Sequence, residues 1–329
     1  MKAAICTRYG PPGVVRVTEA AMPEAGEHEV LVRVVATTVN RTDCGYRAAK
    51  PFILRFFTGL RRPKPNRGIL GTEFAGEVDA VGGGVTSFEV GDNVFGYLEG
   101  PFGAHAEYVT IREDASVATM PANATFDEAA ASTEGSHYAL ANIRAAKIGS
   151  GQRVLVNGGT GAIGSAAVQL LKSLGAHVTA VCSTEHVALV ERLGADRVID
   201  YTATDFTTDG ETYDAVFDAA GKSSFGRCKR LLKPKGIYLS TDLGPFPQNP
   251  ILALVTPLLG GKKVLFPFPK HDQELVEHIG GLLESGAFKP LIDRRYRLDE
   301  IVEAYRYVET GQKVGNVVID VAGPADRPR

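Results

Sequence analysis

Two patterns of apolar residues follow one another along the chain. In the first 120 residues, short apolar runs alternate with turns. Val30–Ala36 is a continuous apolar run, and Phe74–Val81 alternates before it ends in three glycines. Val90–Phe95 places a Gly-Asp turn before another short strand. This pattern predicts a compact, largely antiparallel β domain.

After Pro121, patterns of helical length alternate with short apolar strands. The predicted helices are Phe126–Arg144, Ala162–Leu174 and Glu185–Leu193, and the predicted strands are Val154–Val156, Val178–Val181, Val198–Ile199, Ala215–Phe217 and Ile237–Ser240. Strand–helix alternation is typical of a doubly wound parallel sheet, which we place at residues 125–287. A helix at Leu298–Glu309 and a strand at Val314–Val321 are expected to return to the first domain, giving it residues 1–124 and 288–329. The fold class is therefore α/β.

Charge and composition narrow the possible partners. Lys and Arg total 36 against 38 Asp and Glu, so nothing favours a nucleic acid as partner. The four cysteines are scattered, as expected in a reducing cytoplasm. No signal-peptide pattern precedes the first strand. The longest apolar run, Ile251–Gly261, is too short to span a bilayer, so we expect a cytoplasmic protein without an integral membrane segment.

A glycine-rich turn connects the first strand of the parallel sheet to its helix. The G-x-G-x-x-G residues, all predicted to contact a cofactor, are Gly159, Thr160, Gly161, Ala162, Ile163 and Gly164. We expect Gly159 to permit the tight turn, Gly161 to admit a pyrophosphate and Gly164 to let helix and strand pack closely. The free N–H groups at the helix N-terminus would bind the phosphates. The alternative is a tight turn that binds nothing.

The end of the second strand distinguishes NAD from NADP. In NAD-binding proteins an acidic residue at this point holds the ribose hydroxyls. Here Ser183 and Thr184 follow the strand, and they leave room for a 2′-phosphate to which their hydroxyls, with that of Tyr201, can donate. The usual Arg is missing, Glu185 opposes an anion, and His186 compensates only in part. We predict NADPH, with NADH as the alternative.

The chain resembles the medium-chain dehydrogenase/reductase superfamily, in its zinc-free quinone-oxidoreductase-like branch. The resemblance covers nearly the whole chain. It rests on Asn40–Asp43, Gly71–Gly76, Val90–Gly96, Ala104–Val109, Gly158–Gly164, Cys182–Thr184, Leu193–Asp196 and Val198–Tyr201. It implies a GroES-like domain, a Rossmann domain, a cleft between them and a homodimer formed by edge pairing of the Rossmann sheets.

The same resemblance places the zinc-ligand positions. In zinc-dependent members a Cys stands three residues before the Asp of C-x-[ST]-D, and a His precedes the Glu of G-H-E. Here these positions hold Asn40 and Thr72, neither a plausible zinc ligand. We therefore expect no metal. Without a Lewis acid, simple alcohol oxidation is disfavoured, whereas hydride addition to an already conjugated acceptor stays feasible.

Four residues are catalytic candidates, each with a structural alternative. The amide of Asn40 either binds substrate or closes its loop, and Tyr46 is either a proton donor or a packing residue. Asp43 is expected to tie down the loop. His137 and Tyr138 stand where relatives carry a pattern near the nicotinamide, and a His on a helix is often structural.

Three further residues are expected to contact the cofactor. Ala220 and Leu243 follow the fourth and fifth parallel strands, and ligands bind at such carboxyl ends. Asn316, in the final strand, is the third candidate.

The segment from Phe52 to Arg67 combines apolar and basic residues. They are Phe52, Ile53, Leu54, Phe56, Phe57 and Leu60, with Arg55, Arg61, Arg62, Lys64 and Arg67. Three interpretations stay open: a loop that packs its apolar residues on the β domain, a lid over an apolar substrate, or a surface that touches a membrane.

The sequence thus predicts an NADPH-dependent, zinc-independent reductase of a small apolar enone, enal or quinone. Two alternatives are a zinc-free enzyme acting on another carbonyl-type substrate, and a non-catalytic NADPH-binding redox sensor. A zinc alcohol dehydrogenase is opposed by the missing ligands.

Overall fold

A computed structural model describes residues 1–64, 68–98, 100, 102–270 and 272–323. The chain divides into two compact units. Unit 1 comprises the described parts of Met1–Glu134, His271–Gly286 and Leu291–Arg329, and unit 2 comprises Gly135–Lys270 and Ala287–Pro290. No helix among the described residues is long and apolar enough to cross a membrane.

Unit 1 is built on a large, mainly antiparallel sheet. Its strands, with a separate β1–β2 pair, are β1 (Lys2–Cys6), β2 (Val15–Glu19), β3 (Glu29–Val39), β4 (Glu73–Val81), β5 (Asn93–Tyr97), β6 (Tyr108–Arg112), β7 (Val117–Thr119), β14 (Ile292–Arg297) and β15 (Asn316–Asp320). The order is β14-β15-β3-β4-β5-β7, and β6 also pairs with β3. Every pair is antiparallel except β14–β15, so the predicted antiparallel sheet is confirmed.

Strand β3 organises unit 1 because it is long enough to have three partners. Its first half pairs with β6, its second half with β15, and its other edge with β4. Alternate residues Val30, Val32 and Val34 pack in one apolar cluster with Phe74 and Val78 of β4. This alternation is what the sequence pattern indicated.

The helices of unit 1 are short. They are α1 (Arg41–Ala48), α2 (Leu54–Thr58), α3 (Phe126–Ala130), α9 (Gln273–Glu284) and α10 (Ile301–Glu309), with 3₁₀ turns at Pro12–Val14 and Leu298–Glu300. The predicted helix at Leu298–Glu309 is confirmed, although its first turn is 3₁₀. Strand β14 and helix α9 were not predicted.

The predicted single helix Phe126–Arg144 is wrong, because it is two helices. Helix α3 ends at Ala130, and α4 (Thr133–Ala146) begins after a short break. In the break, the Ser132 hydroxyl donates to the Ala129 carbonyl over 2.7 Å. Such local side-chain hydrogen bonds compete with helix continuation.

Unit 2 contains a fully parallel sheet. Its elements are β8 (Arg153–Asn157), α5 (Ala162–Ser173), β9 (His177–Cys182), α6 (Val187–Arg192), β10 (Arg197–Asp200), β11 (Tyr213–Asp218), α7 (Phe225–Cys228), β12 (Leu232–Ser240), α8 (Gln248–Val255) and β13 (Lys263–Leu265). 3₁₀ turns lie at Thr184–His186, Phe206–Thr208, Lys229–Leu231 and Thr256–Leu259. The strand order β10-β9-β8-β11-β12-β13 reverses between β8 and β11, where doubly wound sheets bind ligands. The predicted α/β class, a GroES-like sheet with a Rossmann sheet, is confirmed.

The predicted helix Glu185–Leu193 is partly wrong: it opens as a 3₁₀ turn, and its α-helical part is α6. Helix α8 and strand β13 were not predicted.

The proposed domain boundaries at residues 125 and 287 differ from the division by contacts. Helices α3 and α9 belong to unit 1 by contacts. The boundaries stay a prediction.

Candidate functional site

The turn after β8 has the backbone that a dinucleotide loop requires. Gly158 has φ +88°, a left-handed conformation that favours glycine. The positive φ of this turn lies at Gly158, one residue before Gly159. A Cβ on Gly159 would lie 3.1 Å from that of Ala180, so this position also favours glycine. A Cβ on Gly164 would lie 2.0 Å from the Gly158 carbonyl oxygen. The close packing expected at Gly164 is therefore confirmed.

Gly161 stands at the N-cap of α5, and no side chain caps this helix. A Cβ on Gly161 would meet only the Gly158 oxygen, at 3.8 Å, so the space in front of it is open. Thr160 precedes it, and Ala162 and Ile163 form the first turn, whose N–H groups have no partner inside the helix. This turn fits the pyrophosphate of a dinucleotide.

The residues predicted to distinguish NADP from NAD lie beside one another. The backbone N–H of Tyr201, after β10, donates to the Cys182 carbonyl at the end of β9 over 3.0 Å. Ser183 and Thr184 follow Cys182 directly, and the Tyr201 side chain is 57% exposed. His186 lies 3.5 Å from the Glu185 carboxylate, which is mostly exposed. Ser183, Thr184 and Tyr201 therefore form one hydroxyl-rich rim at the carboxyl ends of β9 and β10.

Asp200 is part of this rim, and sequence reasoning missed its role. Its carboxylate accepts hydrogen bonds from the hydroxyls of Thr184, over 2.6 Å, and Thr202, over 2.6 Å. The Thr184 hydroxyl, and then that of Thr202, hold the pKa of Asp200 below its usual range. An ionised carboxylate therefore stands next to Thr184, one of the predicted cofactor contacts, although it lies on β10 rather than β9. The sequence could have indicated Asp200, because it directly precedes Tyr201, which was already a candidate.

Ala220 and Leu243 lie at the carboxyl ends of the adjacent strands, as predicted. A Cβ on Gly158 would lie 2.8 Å from the Ala220 methyl group, so Ala220 borders the glycine loop. The Leu243 carbonyl accepts the N–H of Asn249 over 3.0 Å. Between the two strand ends, buried Asp218 accepts hydrogen bonds from Asn157 (2.9 Å) and Tyr238 (3.1 Å).

In unit 1, Asn40 caps helix α1 and is buried. Its side-chain oxygen accepts the Asp43 N–H over 2.9 Å, and its own N–H donates to the Asp43 carboxyl over 3.1 Å. The Asp43 carboxyl also accepts the Gly71 N–H over 3.2 Å. Asp43 therefore ties the loop to the start of β4, as expected.

The two positions that would carry zinc ligands bind each other. The Asn40 amide nitrogen donates to the Thr72 hydroxyl over 2.8 Å and to the Glu73 carboxyl over 3.4 Å. In the described part of the chain, no group of three or more His, Cys, Asp or Glu side chains is placed to hold a metal ion. The donor set therefore does not fit a catalytic zinc.

A buried pair of glutamates lies next to Asn40, and sequence reasoning did not identify it. Glu73 accepts hydrogen bonds from Thr38, from Thr133 (2.8 Å) and from the backbone of Glu134 (2.6 Å). The Glu134 carboxyl accepts the Thr42 hydroxyl over 2.6 Å. Burial raises the pKa of both carboxyls, and the charge of Glu73 raises that of Glu134 further. This pair therefore retains protons to a higher pH than exposed glutamates.

His105 lies on the other side of Asp43. Its Nε2 lies 2.7 Å from the Thr38 carbonyl oxygen, and its Nδ1 lies 3.3 Å from the Tyr305 hydroxyl. Burial lowers the pKa of His105 to about 4 and raises that of Asp43 to about 8. Both groups are therefore neutral near pH 7, although 3.8 Å separates Nε2 from the Asp43 carboxyl.

The remaining candidates occupy separate places. Tyr46 packs its ring against Phe102, with centroids 4.3 Å apart. His137 and Tyr138 are neighbours on α4, with ring centroids 4.4 Å apart. Asn316 begins β15, where its amide donates to the Leu291 carbonyl over 3.1 Å. These contacts are structural ones, and a role in binding or catalysis stays a prediction for all four residues.

Comparisons with known proteins are consistent with this arrangement. Residues 26–122 match the family model described as "Alcohol dehydrogenase GroES-like domain", and residues 193–319 match the one described as "Zinc-binding dehydrogenase". The second description names zinc, whereas this chain carries Asn40 and Thr72 at the ligand positions.

Curated relatives and solved structures match nearly the whole chain. The chain is 33% identical to the 2-methylene-furan-3-one reductase of Solanum lycopersicum, over 97% of this chain and 79% of the relative. It is 30% identical, with the same coverage, to the NADPH-dependent alkenal/one oxidoreductase, chloroplastic, of Arabidopsis thaliana. The structure of the quinone oxidoreductase from Coxiella burnetii superposes with a TM-score of 0.87 at 27% identity, covering 98% of this chain and 99% of that one.

Proposed function

The chain belongs to the medium-chain dehydrogenase/reductase superfamily, in its quinone-oxidoreductase-like branch, and on that premise we propose a specific reaction for this NAD(P)-dependent oxidoreductase. It is an NADPH-dependent, zinc-independent reductase that transfers hydride to a small activated alkene, an enone or enal, or to a quinone.

The hydrogen bond between Asn40 and Thr72 carries this proposal. An amide and a hydroxyl that satisfy each other leave no thiolate or imidazole to bind zinc. Without a Lewis acid, the acceptor must already be polarised, and conjugation in an enone or quinone provides this by carrying charge to oxygen. The names of the reductase and oxidoreductase relatives point to the same substrate class.

NADPH, when bound, supplies the hydride to the acceptor carbon. The residues of this chain have to hold the cofactor and provide a proton. We assign phosphate binding to the turn at Gly161 and proton donation to Tyr46, His137 or Tyr138. Asn40 is a positioning residue, because its amide hydrogens are engaged by Thr72 and Glu73.

Preference for NADPH is supported by the rim at the end of β9. Ser183 and the exposed Tyr201 offer hydroxyls to a 2′-phosphate, whereas the Thr184 hydroxyl donates to Asp200, and no carboxylate ends β9 itself. The Asp200 carboxylate works against a 2′-phosphate, because the hydroxyls of Thr184 and Thr202 keep it ionised. The name of the Arabidopsis relative also specifies NADPH.

We also propose a cytoplasmic homodimer formed through unit 2. Strand β13 is an edge of the parallel sheet, and α8 with the following 3₁₀ turn packs beside it. The exposed apolar residues of this face are Ile251, Leu254, Val255, Leu258 and Leu259. A second copy would cover both the edge and this apolar surface.

The direct test is NADPH oxidation, followed by nicotinamide absorbance, against a panel of enones, enals, quinones and simple ketones. Each assay is repeated with NADH in place of NADPH and with a metal chelator added. The Gly161→Ala variant is the control for the cofactor site. We expect turnover of conjugated acceptors that prefers NADPH and is unchanged by the chelator. Turnover of simple ketones that the chelator abolishes would overturn the proposal.

A further inference from the structure

The segment Phe52–Lys64 of unit 1 exposes an apolar face to which no step of the proposed reaction is assigned. One of the three open interpretations, that its apolar residues pack on the β domain, does not hold for five of them. Their side chains are between 58% and 64% exposed: Phe52, Ile53, Phe56, Phe57 and Leu60. Arg67 lies outside the described residues. Several large apolar side chains exposed together mark an interaction surface.

Polar contacts on the opposite side hold this segment in place. The Tyr9 hydroxyl lies 2.6 Å from the hydroxyl of buried Thr58 and donates to the Gly59 carbonyl over 2.8 Å. The Arg55 guanidinium lies over the Tyr9 ring, 5.0 Å from its centroid. Phe52, Ile53, Phe56 and Phe57 recur at i, i+4 spacing along α2 and the turn before it, and exposed Leu60 follows Gly59, where the helix ends. These contacts fix the segment in a conformation in which its apolar side chains are exposed.

The charge of the segment is entirely positive. No Asp or Glu occurs between Asp43 and Glu73, although the whole chain has a net charge of −2. Within the segment and just before it, the exposed basic residues are Lys50, Arg61, Arg62 and Lys64. An aromatic face beside exposed cations is the composition that binds the interface of an anionic bilayer.

We propose that Phe52–Lys64 is an interfacial membrane-binding surface. The aromatic face enters the boundary between headgroups and acyl chains, and the exposed Arg and Lys side chains bind anionic headgroups. A second copy of the chain does not suit this surface, because two like surfaces without acidic residues repel each other when they face across a two-fold axis. The inference does not depend on the proposed reductase activity, since binding is measured without turnover.

The absence of tryptophan from this chain permits a direct test. A Phe56→Trp variant of the full chain carries a single indole on the proposed surface. It is titrated with vesicles of phosphatidylcholine alone, and with vesicles of equal parts phosphatidylcholine and phosphatidylglycerol. With the anionic vesicles we expect a blue shift of emission and quenching by brominated acyl chains. No change with anionic vesicles overturns the proposal.

Flotation with the same anionic vesicles separates the contribution of the basic residues from that of the aromatic residues. Arg61→Glu with Arg62→Glu should weaken partitioning by at least about thirty-fold, and Phe56→Ser with Phe57→Ser by at least about tenfold. Raised salt should weaken binding of the unmodified chain. The matched controls, Lys229→Glu with Arg230→Glu and Phe246→Ser with Phe268→Ser, change exposed residues of unit 2 and should leave partitioning unchanged.

Three results would contradict the inference. Partitioning that only the unit 2 controls abolish would place the membrane contact elsewhere. Binding to neutral vesicles as strong as binding to anionic vesicles would show that the basic residues do not contribute. A blue shift without vesicles, together with a larger mass that Phe56→Ser with Phe57→Ser reduces, would identify a second copy as the occupant. Because the changed side chains are exposed, thermal unfolding should be unaffected in every variant.

Discussion

The amide nitrogen of Asn40 lies 2.8 Å from the hydroxyl oxygen of Thr72, and the family resemblance aligns these two residues with zinc ligands of metal-dependent members. Both side chains are buried. The site is therefore not a zinc site that has lost one ligand, because its two altered positions form a bonded pair. Glu73 and Asp43 complete the network around Asn40.

This pairing predicts that Thr72 stabilises the fold. Thr72→Val keeps the shape but leaves a buried amide donor without its nearest acceptor, which costs about 1–3 kcal/mol. Thr72→Ser keeps the hydroxyl and is the control. Urea unfolding compares the three proteins. If the Val variant is as stable as the Ser variant, the hydrogen bond contributes nothing.

The glycine loop predicts different results for two Gly→Ala substitutions. At Gly164 the new methyl group meets the Gly158 oxygen, so we expect a loss of about 1–3 kcal/mol in stability together with loss of NADPH binding. At Gly161 the methyl group enters open space, so stability should change by less than about 1 kcal/mol. Cofactor affinity should nevertheless fall at least about tenfold, because the pyrophosphate can no longer approach the backbone. Thermal unfolding and calorimetric titration measure the two effects, and unchanged affinity in Gly161→Ala would place the phosphates elsewhere.

The rim at the end of β9 predicts how cofactor choice changes. Asp200→Asn removes a negative charge beside Thr184 and should increase NADPH affinity by about three- to tenfold while leaving NADH affinity nearly unchanged. Tyr201→Phe removes a donor and should weaken NADPH binding by about tenfold. Dissociation constants for both nucleotides provide the comparison. Equal effects on NADH and NADPH would show that neither residue faces a 2′-phosphate.

Asp43 and His105 predict a dependence of stability on pH. The folded state keeps a proton on Asp43 up to about pH 8 and keeps His105 neutral down to about pH 4. Their ordinary pKa values are 3.8 and 6.5, so between about pH 4 and 6.5 the folded and unfolded states hold equal numbers of protons on this pair. From pH 6.5 to about 8 the folded state holds one more, and stability falls as pH rises.

Urea unfolding at pH 5, 6.5 and 8.5 measures this effect. The Asp43→Asn variant should lose less stability than the unmodified chain between pH 6.5 and 8.5. Asp114→Asn, at an exposed carboxylate in the same unit, is the control. If the free energy of unfolding changes with pH by the same amount in all three proteins, Asp43 is ionised in the folded state.

The apolar face beside β13 predicts the oligomeric state. Leu254→Asp with Leu258→Asp places charges on two exposed residues of this face and should convert a dimer to a monomer. Val90→Asp, at an exposed apolar residue of unit 1, should leave the dimer intact. Light scattering after size-exclusion chromatography measures the mass. A dimer that survives the double substitution would be formed through another surface.

Much of the fold was predictable because its signals are local. The alternation of strands and helices after Pro121 follows from apolar spacing, and the nucleotide loop follows from glycines that tight packing requires, as at Gly164. The absence of Cys and His at positions 40 and 72 is likewise visible in the sequence.

Other features depended on which residues the fold brings together. Nothing in the pattern indicated that the helix after Thr125 breaks at Ser132, or that the positive φ belongs to Gly158 rather than Gly159. The pairing of Glu73 with Glu134 joins residues 61 positions apart. Sequence patterns could not assign these features, because each depends on the backbone path or on distant contacts.

The sequence by itself determined the alternation of strands and helices after Pro121, the glycine-rich loop and the residue types at positions 40 and 72, because each depends on residue type and short spacing. Only the tertiary structure decided that Asn40 and Thr72 bind each other, that Asp200 stands beside Thr184, and that the apolar residues of Phe52–Lys64 face outward. The physical reason is that residue type determines what a side chain can do, whereas its burial and its partners depend on segments that are distant along the chain.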